Sequence, residues 1–347
     1  MLTDKQALQL TDQGILSAIG QTPLIKLRRV FDDIEFNLFA KLESLNPGGS
    51  IKDRSALYII KHGIETGTIK PGTVVIESSS GKMGIGLAQA CSYFGLRFIC
   101  VIDSKTTQQN IDVLKAYGAE TDLVTDPDPV TGEFLPARIR RVQELLALIK
   151  HSFWPNQYAN VYSSVAQYQT MREITRALDD EVDYLFCATS TCGTISGCAE
   201  YIRDHELKTK IFAVDAIGSV IFGGTSAKRL IPGHGAALVP PLFRPDLADQ
   251  CVYVSDLDCV VGCRRLINRE VLLAGGSSGG VLMAIDQSRS EFPSGSNCVA
   301  IFPDRGERYL NTIYSDAWVN KHFGDVSHLW QSKNLNAEEA CSGYAVV

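Results

Sequence analysis

Nowhere in the chain do about 18 apolar residues run without interruption, which excludes a conventional transmembrane helix. Met1 to Gln6 also lacks the basic start and apolar run of a signal peptide, so the expected location is the cytoplasm. There is no basic excess. The 33 Lys and Arg face 39 Asp and Glu, a net charge of -6, which argues against a nucleic-acid surface, because phosphate backbones are held by surplus cations. Local basic pockets for small anions are compatible with this balance. The ten cysteines include no Cys-x-x-Cys pair, and the nearest neighbours, Cys259 and Cys263, have no histidine beside them. No metal site is expected, and most cysteines read as buried small hydrophobes of a reducing compartment. Repeats and low-complexity tracts are absent.

What is present fits a globular protein of enzyme size. At 347 residues, 45% hydrophobic and 21% charged, the chain can bury two cores. Val74 to Ile76, Phe98 to Ile102, Tyr184 to Cys187, Ile211 to Val214 and Cys298 to Phe302 are apolar runs that read as strands buried on both faces. Helical patterns lie between them, at Gly84 to Phe94, Arg138 to Ile149 and Gln167 to Leu178. The alternation predicts an α/β fold with mainly parallel sheets. Asp126 to Gly132 reads as a loop, and the tail after about Phe323 as polar and loosely packed.

In such sheets ligands bind beyond the carboxyl ends of strands, so the loops there carry the chemistry. Asn46-Pro47-Gly48-Gly49-Ser50-Ile51-Lys52 places one lysine in a glycine-rich turn after the apolar-rich run Leu38 to Leu42. Partly desolvated, Lys52 would have the lowered pKa that Schiff-base chemistry needs; otherwise it is a solvated lysine after a turn. Ser78 to Gly84 offers hydroxyls and backbone N-H groups at a helix start, suited to a carboxylate, and Ser190 to Thr194 offers the same to a phosphate. Ala274 to Gly280 is too glycine-rich to start a helix by propensity, and close approach of backbone to a flat ligand would explain it. Each loop taken singly reads as ordinary capping, and the combination is what points to a ligand.

The order Ile19 to Leu24, Asn46 to Arg54, Glu77 to Gly84, Ser190 to Gly197, Gly275 to Gly279 and Pro303 to Leu310 resembles the cysteine synthase family of fold type II pyridoxal 5'-phosphate enzymes, over about residues 15 to 320. The resemblance implies a tryptophan synthase β-like α/β fold, in which two open, mostly parallel sheets hold the cofactor in the cleft between domains. It implies a smaller mobile domain at 41–156, a larger cofactor-binding domain made of 1–40 plus 157–325, a polar tail at 326–347, and a homodimer. It further implies that Lys52 carries the cofactor and moves the Cα proton, that Ser190, Thr191, Cys192, Gly193 and Thr194 cradle its phosphate, and that Ser277 meets its pyridine nitrogen. Gly235 falls beside the cofactor. Ser79, Ser80, Gly81, Met83 and Gln157 match the site for the substrate α-carboxylate. Lys82 departs from the family, which has asparagine there for the cofactor's phenolic oxygen; its ammonium either donates to that oxygen, contacts an anionic substrate, or points to solvent.

Asp215 to Gly223, Ile231 to Ala236 and Arg138 to Ala147 are similar to the N-(2-amino-2-carboxyethyl)-L-glutamate synthases of siderophore and 2,3-diaminopropionate pathways. That branch eliminates phosphate from O-phospho-L-serine and adds L-glutamate to the aminoacrylate. At about 100° per residue Arg138 shares a helical face with Val142, Leu145 and Ile149, whereas Arg140 and Arg141 do not. An arginine extending an apolar face needs a partner, and the resemblance makes it a phosphoserine-selecting residue; a salt bridge is the alternative. Tyr158 and Ser219 are expected to line the cleft. The competing functions are a cysteine synthase or cystathionine β-synthase-like enzyme using O-acetylserine or serine with a sulfur nucleophile, and a catalytically silent homologue. His234, beside the expected cofactor, reads as a packed or solvent-facing turn residue rather than a base.

Overall fold

The computed structural model describes residues 14–331. Its strands are β1 (Leu24–Leu27), β2 (Asn37–Leu42), β3 (Val74–Ser78), β4 (Arg97–Asp103), β5 (Glu120–Val124), β6 (Ser152–Phe153), β7 (Tyr184–Ala188), β8 (Lys210–Ala216), β9 (Gln250–Val254) and β10 (Asn297–Phe302). They form a six-stranded sheet in the order β1-β2-β10-β7-β8-β9 and a four-stranded sheet in the order β5-β4-β3-β6. Among the described strands only the edge pair β1 and β2 is antiparallel. The helices are α1 (Lys52–Glu65), α2 (Lys82–Tyr93), α3 (Gln108–Ala116), α4 (Phe134–Leu148), α5 (Tyr162–Ala177), α6 (Gly193–Asp204), α7 (Asp256–Glu270), α8 (Gly276–Ser288) and α9 (Asp316–Phe323). None is long and apolar enough to cross a membrane.

The apolar runs expected as two-faced strands are so because alternate residues serve different cores. In the larger sheet Phe186, Phe212, Ala300 and Phe302 face α7 and α8. Their neighbours Leu185, Ala213, Val299 and Ile301 face α5 and α6. In the smaller sheet Val75, Phe98 and Cys100 pack under α1 and α2, while Val74, Ile76, Ile99 and Val101 pack under α4. Each fully buried large side chain of this kind contributes about 1.5–3 kcal/mol. The two sheets are tied by a charged cluster: Arg54 of α1 reaches Glu43 at 2.7 Å and Glu173 of α5 at 2.6 Å, and Glu173 also meets Lys41 of β2 at 2.7 Å.

Two expectations need correction. The glycine-rich run does begin a helix, α8, and Gly279 within it serves helix packing. A Cβ on Gly279 would lie 2.1 Å from the Cys259 carbonyl oxygen of α7, and one on Gly262 2.1 Å from the Gly279 oxygen, so the two helices cross with backbones in contact. The segment after Phe323 is also not loose as far as Gln331. Val326 and Trp330 pack on the larger core, and Arg265 and Asn268 of α7 donate to the Leu329 and Trp330 carbonyls. The rest of the expected tail lies outside the described residues. Eight of the nine cysteines among them are buried, and all nine are free thiols.

Candidate active site

Lys52 stands where the chain passes from one sheet to the other. Gly49, at φ +83°, allows the turn that follows β2, and the turn is clamped by Asp53, which accepts from the Gly48 N-H at 2.6 Å. The Ile51 N-H donates to the Pro303 carbonyl at 2.8 Å, fastening the start of α1 to the end of β10. Half-buried there, Lys52 points its Nζ at Thr191 Oγ1, 3.2 Å away. Desolvation, with the Lys82 charge adding to it and Cys192 opposing, lowers its pKa to about 8. It is therefore an amine with a substantial neutral fraction near neutral pH, as a nucleophile or proton carrier must be.

The loop after β7 ends at Cys192, whose left-handed φ of 64° turns the chain into α6. The first turn of α6 offers N-H groups without helical partners. It is held by close packing on α5, because a Cβ on Gly197 would lie 2.1 Å from the Ser164 carbonyl oxygen. Ser190 and Thr194 are half-buried and Thr191 and Gly193 buried at this turn, whereas the Cys192 thiol belongs to the core beneath it. Ser277, in the first turn of α8, has a buried hydroxyl without a hydrogen-bond partner. Gly235 donates to the Thr189 carbonyl at 2.8 Å, which brings its loop to the end of β7.

Across from these, the loop between β3 and α2 is preorganised by its own atoms. Ser79 Oγ accepts from the Gly84 N-H at 2.9 Å, and the Ser80 carbonyl accepts from Asn110 at 3.0 Å. The Ser79 hydroxyl thus caps α2, and the Met83 side chain is packed in the core, leaving Ser80, Gly81 and the backbone of the first turn for a ligand. Gln157 is bolted to the same edge: its amide nitrogen donates to the Ser78 carbonyl at 3.0 Å, and its backbone N-H to Glu77 at 3.1 Å. Glu77 also accepts from Trp154 at 3.1 Å, and burial raises its pKa to about 7 against these bonds. The Ser219 hydroxyl accepts from the Ala236 N-H at 3.0 Å and so acts as a staple of the β8–β9 loop.

Lys82 does not point to solvent. Gly86 lets α2 lie against the first turn of α1, where a Cβ would come 3.2 Å from the Lys52 carbonyl oxygen, and this places Lys82 near Lys52. Its Nζ meets Asp304 Oδ2 at 3.0 Å, beyond the end of β10, and the fully buried carboxylate also accepts from the Tyr309 hydroxyl at 2.9 Å. Asp304 stood in the sequence without a role, because nothing local to it signals a partner in another sheet.

Arg138 is buried on the expected face of α4 with Val142 and Leu145. Its Nε lies 3.2 Å from Asp103 Oδ2, but neither Nε nor Nη1 makes a directed hydrogen bond. The salt-bridge alternative is thus present, with donors left over. Tyr158, beside the same group, is half-buried, and desolvation pushes its phenol up to about 12. Exposed Arg140 pairs with buried Asp128, and half-exposed Arg141 with Asp122 and Glu144. His234 is a packed residue: its Nε2 lies 3.0 Å from the Val214 carbonyl, and burial lowers its pKa to about 4.

A half-buried amine, the first turn of α6, a buried hydroxyl without a partner and the loop before α2 stand at the carboxyl ends of strands in both sheets. The family model described as pyridoxal-phosphate dependent enzyme matches residues 15–304. Similar solved structures include an O-acetylserine dependent cystathionine β-synthase from Helicobacter pylori, 31% identical over 87% of this chain and 98% of that one, with a TM-score of 0.80. A hydrogen sulfide-producing enzyme from Fusobacterium nucleatum is 33% identical over 86% and 99%, with a TM-score of 0.80. The O-acetylserine sulfhydrylase isoform 3 from Entamoeba histolytica is 32% identical over 87% and 91%, with a TM-score of 0.81. The chain belongs to the pyridoxal-phosphate dependent enzymes of fold type II and is related to cysteine synthase and cystathionine β-synthase.

Proposed function

We propose that this enzyme converts O-phospho-L-serine and L-glutamate to N-(2-amino-2-carboxyethyl)-L-glutamate and inorganic phosphate, a β-replacement that would supply 2,3-diaminopropionate for siderophore assembly. The residues fit the cofactor, and the partnerless Ser277 hydroxyl is the sharpest sign, since a buried polar atom of this kind is expected to have a partner. In this reading Lys52 holds the cofactor, Ser190 to Thr194 its phosphate, Ser277 its ring nitrogen, and Gly235 lies alongside. When bound, pyridoxal phosphate supplies an electron sink that acidifies the Cα-H of an attached amino acid.

The chain's own groups do the rest. Ser80, Gly81 and the first-turn N-H groups of α2 hold the donor's α-carboxylate, with Gln157 beside them. Lys52, released as a neutral amine, takes the Cα proton. The Cβ-O bond breaks and the phosphate leaves carrying the bonding pair; the amine of glutamate then bonds to Cβ, loses its proton, and Cα is reprotonated from Lys52. The division into residues 41–156 and the remainder puts the carboxylate loop on one side of the cleft and the cofactor cradle on the other, so closure would exclude water. A homodimer is part of the proposal.

Buried Arg138 with two undirected donors carries the choice of phosphate donor, because a planar guanidinium suits a phosphate dianion. Arg138→Met is expected to lower kcat/KM for O-phosphoserine about 10- to 100-fold while sparing O-acetylserine, since hydrogen bonds to charged groups are worth about 1.5–3 kcal/mol. Pairing it with Asp103→Asn guards against a fold defect from the stranded carboxylate. Phosphate release and product mass are the readouts, and equal loss with both donors would refute the assignment. The second reading, O-acetylserine with a sulfur nucleophile, draws on the activities named for the similar Helicobacter and Entamoeba proteins. Sulfide-dependent turnover from O-acetylserine, with none from O-phosphoserine, would establish it.

A further inference from the structure

Residues 217–249, between β8 and β9, form a long segment without helix or strand that is nevertheless firmly fastened. Loops of that length in compact folds are commonly functional. The Ala227 N-H donates to Gly218 at 3.1 Å, Val220 to Ala236 at 3.0 Å, and Leu230 and Ile231 to the two oxygens of Asp256 at 2.9 and 3.2 Å. Arg229 precedes the last two anchors, and its side chain turns back beneath the loop. A Cβ on Gly235 would lie 2.8 Å from Arg229 Nη1, 2.8 Å from the Ser219 Cβ and 3.0 Å from the Ala216 Cβ. The guanidinium therefore lies against Gly235 at the carboxyl end of β8, on the cleft side of the larger sheet. Its Nη1 is buried and has no hydrogen-bond partner.

A buried guanidinium nitrogen without an acceptor is costly, and it persists where a ligand completes it. Among the described residues no acid hydrogen-bonds this Nη1: Asp256 accepts from two backbone N-H groups, and Asp215 Oδ1 accepts from the Ala216 N-H. Two residues before Gly235 the same loop meets the start of α2 on the smaller sheet's side, since a Cβ on Gly233 would lie 3.6 Å from Lys82 Nζ. We propose that Arg229 binds the side-chain carboxylate of the acceptor amino acid, making it the residue that selects an anionic nucleophile. This rests on the reaction proposed above, in which that nucleophile is a dicarboxylic amino acid. An anion at Arg229 could equally be the departing phosphate, and the test separates the two.

The variants are Arg229→Met and Arg229→Lys, checked for native thermal unfolding. Phosphate release from O-phosphoserine without acceptor reads the donor step; KM for L-glutamate and for L-glutamine reads the acceptor step. Arg229→Met should leave the donor step within about two-fold, raise KM for glutamate about 10- to 100-fold, and change KM for glutamine little, with Arg229→Lys intermediate. A loss confined to the donor step would mean that Arg229 serves the phosphate, and equal losses for glutamate and glutamine would mean that it merely shapes the loop; either overturns the proposal. If the unaltered enzyme releases no phosphate, the parent reaction has failed, and the acceptor comparison is repeated with O-acetylserine. Should no donor react, calorimetric binding of glutarate to the holoenzyme decides: affinity lost in Arg229→Met upholds the assignment, and unchanged affinity refutes it.

Discussion

Lys82, expected from the sequence to stand where an asparagine would serve the cofactor, is paired with Asp304. The carboxylate is fully buried and the ammonium largely so. Removing one member strands the other's charge, which costs about 3–5 kcal/mol when a buried pair is broken. Lys82→Asn should therefore lower the chemical-denaturation midpoint, and Lys82→Asn with Asp304→Asn should recover most of the loss. Recovery absent in the double variant would mean that the pair contributes little. The same substitution removes a charge that holds down the Lys52 pKa, so the pH midpoint for borohydride trapping of pyridoxal phosphate by the apoenzyme should move upward. Lys52 and Arg138 were legible as residues, one from its turn and the other from its place on an apolar helical face. Asp304 and Arg229 were not, since their significance depends on segments distant in sequence.

At the level of elements, strands with apolar residues on both faces were readable, and the observed β3, β4, β7, β8 and β10 match them closely. Short or half-exposed strands were missed: β6 has two residues, and β5 buries none fully. Helix α7 had a usable signal, because Ser255 and Asp258 form a reciprocal capping box. Helix α8 shows how propensity misleads, since glycines unfavourable to an isolated helix are what permit its contact with α7. Gly279→Ala, favourable by propensity, should instead destabilise by at least about 1–3 kcal/mol through overpacking. Urea unfolding measures this, and a neutral or stabilising outcome would show that the helices separate at no cost.

For the whole molecule, His234 couples the site to acid stability. Its pKa is about 4 in the folded protein against 6.5 ordinarily, so the unfolded chain binds more protons between these values. The stability due to this neutral histidine is complete above about pH 6.5 and declines as pH falls toward 4, by up to about 3 kcal/mol. Asp53 and Glu77 act oppositely, because burial raises both to about 7, and their contribution weakens as pH rises toward that value. Comparison with His234→Gln isolates the histidine: between pH 7 and 4 the unaltered protein should lose more stability than the variant. Parallel profiles would remove His234 from the account.

The sequence by itself determined the α/β class, the parallel strands, the lysine in its turn and the family, because these follow from backbone periodicity and from short motifs whose residues act on their neighbours. The tertiary structure decided that Lys82 is paired with Asp304, that glycines of α7 and α8 serve helix contact, and that Arg229 lies against Gly235. Pairing and burial depend on which distant segments approach within a few ångströms, and no local pattern encodes that approach.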